Sequence, residues 1–402
     1  MNSIFLAYSG VHQIFQLAAA AEEMGELQTL ICSFANAPGK WGSYASGVMT
    51  LPRLNELGDL RIPRSKILEY PWPKIWQTIL SKAGSKEALK DYSICNNWFD
   101  HVSSKLLQQS KVKLAVFAET CAARSLLTAK SKGIISILEI AGIPSWFLTQ
   151  SIAKAAEEYS LPCPVSLDSS ELLERKKTEI SLADHLLVCS ELQKDIILKT
   201  GVTPDKVSVI PLWSQLPSSN LLLCSQRQRR LNGRLRVAYG GAISLSKGIP
   251  YLLKAINLLG EQIDLTLVGS MEPLMAPLLN KLVPNAKVHP YLPKKDFLAI
   301  LASHDVLVLP SLGDSFGFVA LEAMAQGLPV LVTDHCGVPV PDASWRVPAL
   351  SSDAIAARLE HYCQFPNELC NDGEIAMKFA AKFTGQVYRQ NAQQLYRRLL
   401  AA

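Results

Sequence analysis

Two short segments hold residue types at spacings that could bind and activate a phosphorylated ligand. The first is SLGDSFGFVALEAMAQGLPVLV, Ser311 to Val332. An apolar run, DVLVLP, ends at Pro310; a loop containing Gly313 follows, and helical periodicity starts near Phe316 and stops before Gly327. Such a loop aims unpaired backbone N–H groups and the positive end of a helix dipole beyond the strand, which suits an anion. Asp314 precedes the helix, and Glu322 lies eight residues further on. Eight residues at helical rise span roughly 12 Å, enough for one carboxylate at each end of a diphosphate-linked ligand, accepting from sugar and ribose hydroxyls. The plain alternative makes Asp314 an N-cap and Glu322 a solvated helix residue.

The second segment is VAYGGAISLSKGIPYLLKA, Val237 to Ala255. A strand pattern runs into Gly240-Gly241, and a loop then carries Lys247-Gly248 to a helix with Pro250 near its first turn. A lysine here points toward the same place and can pair with a pyrophosphate; a surface lysine beside a turn glycine is the alternative.

The elements that must position these residues alternate strand and helix. Apolar, β-branched runs recur at Ser3–Tyr8, Leu27–Ser33, Lys113–Ala118, Gly133–Ile140, His185–Ser190 and Val207–Pro211. They recur again at Leu235–Gly241, Ile263–Ser270, Lys287–Tyr291, Asp305–Ser311 and Pro329–Asp334. Helix-period segments, such as His12–Met24 and Ile249–Leu259, lie between them. Runs apolar on both faces are buried parallel strands, so the pattern predicts an α/β fold of two doubly wound, Rossmann-like domains. The polar stretch Leu216–Arg234 separates them as a linker. The predicted division is 1–215, linker 216–234, second domain 235–382 and a closing helix 383–402. Ligands of such sheets bind beyond the carboxyl ends of the strands, which places the site in the interdomain cleft.

Composition excludes other classes. Of 402 residues, 49% are hydrophobic and 19% charged, which rules out a disordered chain. A formal charge of +5 over this length does not indicate a nucleic-acid partner. The nine cysteines are odd in number, scattered and without a CxxC, so they read as reduced core thiols in a cytoplasmic protein. Histidine spacing suggests no metal site. The stretch Ile134–Leu148 contains Glu139 and Pro144 and is too short to span a bilayer. MNSIFLAYSG has neither a basic n-region nor a cleavage site, so no signal peptide is expected.

With their context, the two segments resemble the retaining glycosyltransferases of family 4, the glycosyl transferases group 1, which adopt the GT-B fold. PSLGDSFGFVALEAMAQGLPV is similar to that family's PSxxEGFGxxxLEAMAxGxPV, and Ala183–Pro211 and Phe383–Leu400 are similar to its end-of-domain pattern and closing helix. The likeness covers roughly Ser181 to Leu400 well and the first 180 residues loosely. It implies transfer of a sugar, with retention, from a nucleoside-diphosphate sugar to a glycan, lipid-linked or small-molecule acceptor held by the first domain, with no cofactor and no metal. In that reading Lys247 neutralises the leaving diphosphate, and the N–H groups of Phe316, Gly317 and Phe318 hold it. Asp314 orients the donor sugar, and Glu322 accepts from the ribose. Gly10 and Gly241 allow close approach, and Tyr291 marks where a base could stack. Departures from the family are Asp314 for Glu, Ala242 for Arg, Leu212-Trp213 for Asn-Gly and Ser9-Gly10 for Gly-Gly. Glu139 stands where many relatives place a histidine near the anomeric carbon. Another nucleotide-sugar enzyme of this fold, such as an epimerase, and a catalytically silent binding scaffold stay open at this point.

One surface segment has its own signature. Residues 61–90 carry seven basic side chains (Arg61, Arg64, Lys66, Lys74, Lys82, Lys86, Lys90) against Glu69 and Glu87, interleaved with Trp72 and Trp76. That composition suits an anionic membrane surface on the cytosolic side; an ordinary helix with core tryptophans is the alternative.

Overall fold

The computed structural model describes residues 2–10, 13–34, 62–76, 88–163, 167–214 and 233–401. Two parallel sheets build it. The first contains β1 (Ile4–Tyr8), β2 (Leu27–Cys32), β3 (Ile67–Glu69), β4 (Leu114–Ala118), β5 (Ile135–Glu139), β6 (His185–Val188) and β7 (Val207–Val209), in the order β3-β2-β1-β4-β5-β6-β7. The second contains β8 (Leu235–Gly240), β9 (Ile263–Val268), β10 (Lys287–His289), β11 (Val306–Leu309), β12 (Val330–Thr333) and β13 (Arg346–Val347), in the order β10-β9-β8-β11-β12-β13. Every residue of β4, β6, β11 and β12 is buried, as strands covered by helices on both faces require.

Strand order reverses at β1/β4 and again at β8/β11. The helices following strands on the two sides of such a reversal lie on opposite faces of the sheet, so the loops above it part and leave a crevice. The first domain's helices are α1 (Ile14–Glu23), α2 (Ala88–Gln109), α3 (Ala123–Ser131), α4 (Ser145–Glu158), α5 (Ser170–Leu182) and α6 (Glu191–Leu198). The second domain's are α7 (Ile249–Leu259), α8 (Met275–Leu282), α9 (Lys294–Ala302), α10 (Phe318–Ala325), α11 (Ser352–Gln364) and α12 (Pro366–Ala380), and α13 (Gly385–Ala401) follows. Side-chain caps start several of them: Ser169, Ser190 and Ser351 each accept from a backbone N–H of the first turn.

α13 lies on the first domain. Arg389 pairs with Glu23 at 2.6 Å, and Tyr396 Oη donates to the Leu17 carbonyl at 3.2 Å. α4 is the other bridge. Ile143 and Leu148 pack on Gly313, and Phe147 meets the His335 ring at 4.7 Å between centroids. Tyr251 Oη donates to Glu158 at 2.7 Å. Cys189 Sγ donates to the Ser315 carbonyl at 3.3 Å, so the β6–α6 turn also touches the second domain.

The elements depart from the sequence reading in a few places. β3 falls inside the segment read as a membrane surface, and β13, two residues long, was not anticipated. Of the linker 216–234, all but the last two residues lie outside the described residues. α10 begins at Phe318 rather than Phe316, because Gly317 takes a left-handed conformation (φ +76°) that ends the loop.

Candidate active site

The β8/β11 reversal brings the two chemically suggestive segments together. After β8 the chain turns through Gly241 and returns to α7 at Gly248, whose left-handed conformation (φ +69°) sets it against the Pro310 carbonyl, where a Cβ would collide. Lys247 is thereby aimed across the crevice, and its Nζ lies 2.6 Å from Asp314 Oδ2. The pair stays open to water, at 32% and 20% side-chain exposure.

Asp314 is held on several sides. Its backbone N–H donates to the His335 carbonyl and its carbonyl accepts from Gly337, each at 2.9 Å. Its Oδ1 accepts from the N–H groups of Phe316 (3.3 Å) and Gly317 (3.0 Å). This corrects one expectation: in this structure those two amides are taken by the protein's own carboxylate instead of facing a ligand. The amides of Phe318 and Val319, the first residues of α10, have no intrahelical acceptor and keep the dipole end available. Phe316 is a core residue, 1% exposed, whose ring meets that of the half-exposed Phe318. Asp314 is therefore not the N-cap of α10, which is Gly317 without a side-chain cap; it closes the turn ahead of the helix and is the lysine's partner at once.

Glu322 lies on the second turn of α10, and its Oε1 is 3.2 Å from Nζ of Lys294, the first residue of α9. Lys294 was missed by motif reading: the pairing spans 28 positions and is set by α9 packing on α10. Tyr291 stands exposed beyond β10, and Ala242 is exposed beside Gly241.

In the first domain, Gly10 follows β1 with the Tyr8 ring beneath it. Ser9 Oγ donates to Asn96, whose amide donates to Thr120 Oγ1 at 3.1 Å, tying the loops after β1 and β4 together. Glu139 ends β5 and is buried, 4% exposed. Burial, reinforced by Glu119, pushes its carboxyl up to about 8, so it is neutral at pH 7. Trp213, in the place of the family's glycine, meets the Tyr388 ring of α13 at a tilt, with 4.6 Å between centroids.

At the β1/β4 reversal the N-terminus of α3 is filled from within. Glu179 accepts from the N–H groups of Thr120, Ala122 and Ala123, and Asp100 from those of Arg124 and Ser125. Arg175 bridges both, Nε to Glu179 at 3.0 Å and Nη2 to Asp100 at 3.1 Å. Thr120 sits in the left-handed region (φ +79°), a conformation costly for a β-branched residue and maintained by these bonds.

Residues 234–364 match the family model described as glycosyl transferases group 1. The MMP alpha-(1->4)-mannosyltransferase of Mycolicibacterium hassiacum is 27% identical over 239 residues, 56% of this chain and 57% of that protein. The lipopolysaccharide glucosyltransferase WaaG of Escherichia coli is 28% identical over 153 residues, 37% of this chain and 40% of that protein. This chain spans between 51% and 58% of the length of the first four curated relatives it matches. Among solved structures, Anabaena HepE in complex with UDP superposes with a TM-score of 0.65 at 14% identity over 100% of both chains. Sucrose-phosphate synthase of Thermosynechococcus elongatus does so with 0.64 at 17%, also over 100% of both.

Proposed function

We propose that this chain, a GT-B protein whose second domain belongs to the glycosyl transferases group 1, moves a sugar from a nucleoside-diphosphate sugar to a hydroxyl acceptor. One observation carries the reading: Lys247 and Asp314, from the two loops that part at β8/β11, meet at 2.6 Å beside the open N-terminus of α10. The named relatives, a mannosyltransferase and a lipopolysaccharide glucosyltransferase, support the same class of reaction.

The chemistry follows from charge. When the bond from the sugar to the diphosphate breaks, negative charge grows on the leaving oxygen. Lys247, turned from Asp314 to the phosphate, neutralises it, with the amides of Phe318 and Val319 behind it. Asp314 keeps the lysine aimed and stands at the sugar side of the crevice. Glu322 accepts from the ribose hydroxyls, Tyr291 offers a ring to the base, and Gly241 lets the β8 loop approach the donor. The acceptor, a glycan, lipid-linked or small molecule, enters from the first domain past Gly10. Retention through a covalent intermediate would need an ionised, accessible carboxylate. Glu139, neutral and buried, does not supply one, and both oxygens of Asp314 are engaged within the protein, so in this reading attack proceeds on the face the diphosphate leaves, with Glu139 as a supporting hydrogen-bond donor. A lysine-neutralised leaving group also makes the reaction independent of a metal.

The test is incubation with UDP-, GDP- and ADP-sugars, with mass spectrometry for sugar transferred to an acceptor panel or to water. Turnover that EDTA leaves unchanged is the expected result; no turnover with any donor overturns the reading. A second reading, a silent nucleotide-binding subunit, is favoured by both Asp314 carboxylate oxygens being engaged within the protein. Its mark is nucleoside-diphosphate binding without turnover. Asp314→Glu separates the two: the longer side chain should slow an enzyme tuned to aspartate, whereas raised turnover would mark Asp314 as decay.

A further inference from the structure

The donor crevice has a second cation that no motif announced. α9 lies across the carboxyl end of β8, with the Phe297 ring against Gly240 and close to Val319 of α10. Lys294 is one helical turn before Phe297, so both project from one face of α9. That face overlooks the glycine loop leading to Lys247. Lys294 Nζ reaches Glu322 Oε1 at 3.2 Å, yet its side chain is 41% exposed, while that of Glu322 is 17% exposed. The arrangement repeats that of Lys247 and Asp314. In each, a carboxylate on the 314–322 segment holds a lysine from a neighbouring element, Lys247 from a loop and Lys294 from the start of α9, and each lysine is long, partly exposed and exchangeable. A lysine carries no acceptor and is a mobile point charge on a four-carbon stem, so it can leave one anion for a better one nearby.

We propose that Lys294 is a phosphate-binding residue of this site, stored on Glu322 while the site is empty. This rests on the donor reading above. Nucleotide entry gives Glu322 the ribose hydroxyls and frees Lys294 to swing to the diphosphate, where it adds to Lys247. The exchange keeps Glu322 in place in the empty protein, and it makes the diphosphate, rather than the nucleoside, the ligand that recruits the lysine. Ala242, exposed at the same mouth, contributes no charge, so two lysines face a ligand bearing two phosphates.

Calorimetric binding of UDP, GDP and ADP and of the corresponding nucleosides tests this with Lys294→Met and Lys294→Arg in the full chain. Lys294→Met should weaken the preferred diphosphate about tenfold, the scale of one charge-assisted contact. The nucleoside should bind as before or more tightly, because its carboxylate partner is released, and Lys294→Arg should stay within about threefold of wild type. Unchanged diphosphate binding in Lys294→Met would reduce the pair to a surface ion pair. Equal losses for diphosphate and nucleoside would place Lys294 on the ribose end alone, and an equal loss in Lys294→Arg would show that charge is not the cause. Each of these overturns the assignment while leaving the donor reading standing. Wild-type protein that binds no nucleoside diphosphate overturns both.

Discussion

At the β1/β4 reversal, five backbone N–H groups end on Glu179 and Asp100, whose side chains are 0% exposed. At the β8/β11 reversal, two N–H groups end on Asp314, which shares a solvent-facing lysine. The topology is the same and the filling differs. The first crevice is sealed: its helix dipole is spent on carboxylates belonging to the protein, and Arg175 is locked between them. The second is loaded but reversible, since Lys247 and Lys294 each hold an anion they can exchange. Burial separates scaffold from site here, because a charge pair withdrawn from water cannot be traded for a ligand without a large penalty.

The largest effect should come from breaking the sealed side. Arg175→Ala leaves two buried carboxylates with amides but no cation, and should cost about 3–5 kcal/mol of stability. Urea unfolding would read this, while nucleotide affinity of the folded protein stays within twofold. Lys247→Ala should do the reverse: transfer falls roughly ten- to a hundredfold, with the unfolding midpoint little changed. A stable Arg175→Ala protein, or full activity in Lys247→Ala, would erase the distinction between the two crevices.

What could be read in advance divides along the same line. Strands β1, β2 and β4 to β12 were legible, most of them because burial on both faces leaves continuous apolar runs. The meeting of Lys247 with Asp314 was legible because each follows a strand end at the β8/β11 reversal. The Asp100–Arg175–Glu179 cluster was not, since ionisable residues inside helical patterns read as solvated faces and only tertiary packing buries them. Lys294 was hidden for the same reason. β3 escaped notice because three residues among Pro, Lys and Trp have no period to detect. Asp314 shows the intermediate case: DSFG places amides two and three residues after a carboxylate, a turn that competes for the very groups assigned to a ligand.

Glu139 offers a test of intermediate size within the first domain. Its carboxyl titrates near 4.5 when the chain is unfolded and at about 8 when folded. Between those values only the folded protein holds the proton. Its stabilising contribution is therefore full below about pH 4.5 and falls by about 1.4 kcal/mol per pH unit as pH rises toward 8. Glu139→Gln removes the titration. The variant should match wild type near pH 4.5, exceed it in melting temperature at pH 8 and keep most of its transfer activity. Equal melting temperatures at pH 8 would mean that the carboxylate is solvated, and loss of transfer would show that Glu139 gives up its proton rather than only donating a hydrogen bond.

The smallest effect concerns the surface of 61–90, and the structure has already narrowed it. Leu68, Trp72 and Trp76 are 43%, 51% and 54% exposed, an apolar face beside the edge strand β3. Among the described residues, Lys66 pairs with Glu22 at 2.6 Å, burial lowers the Lys74 ammonium below its usual range, and Arg64 is exposed. Arg61, Lys82, Lys86 and Glu87 lie outside the described residues. We propose peripheral attachment to the cytosolic face of an anionic membrane, with the tryptophans carrying most of it. Because one basic residue contributes at most about 1 kcal/mol, Arg64→Glu should reduce sedimentation with anionic vesicles only a fewfold, and only at low salt. Trp72→Ala with Trp76→Ala should reduce it more and at any salt, because apolar insertion is not screened. The crevice gives the control: neither change should move nucleotide affinity, since both lie at the far edge of the other sheet. No recovery with either neutral or anionic vesicles would make this face plain scaffold and favour a soluble acceptor, and equal recovery with both would remove the basic residues from the attachment.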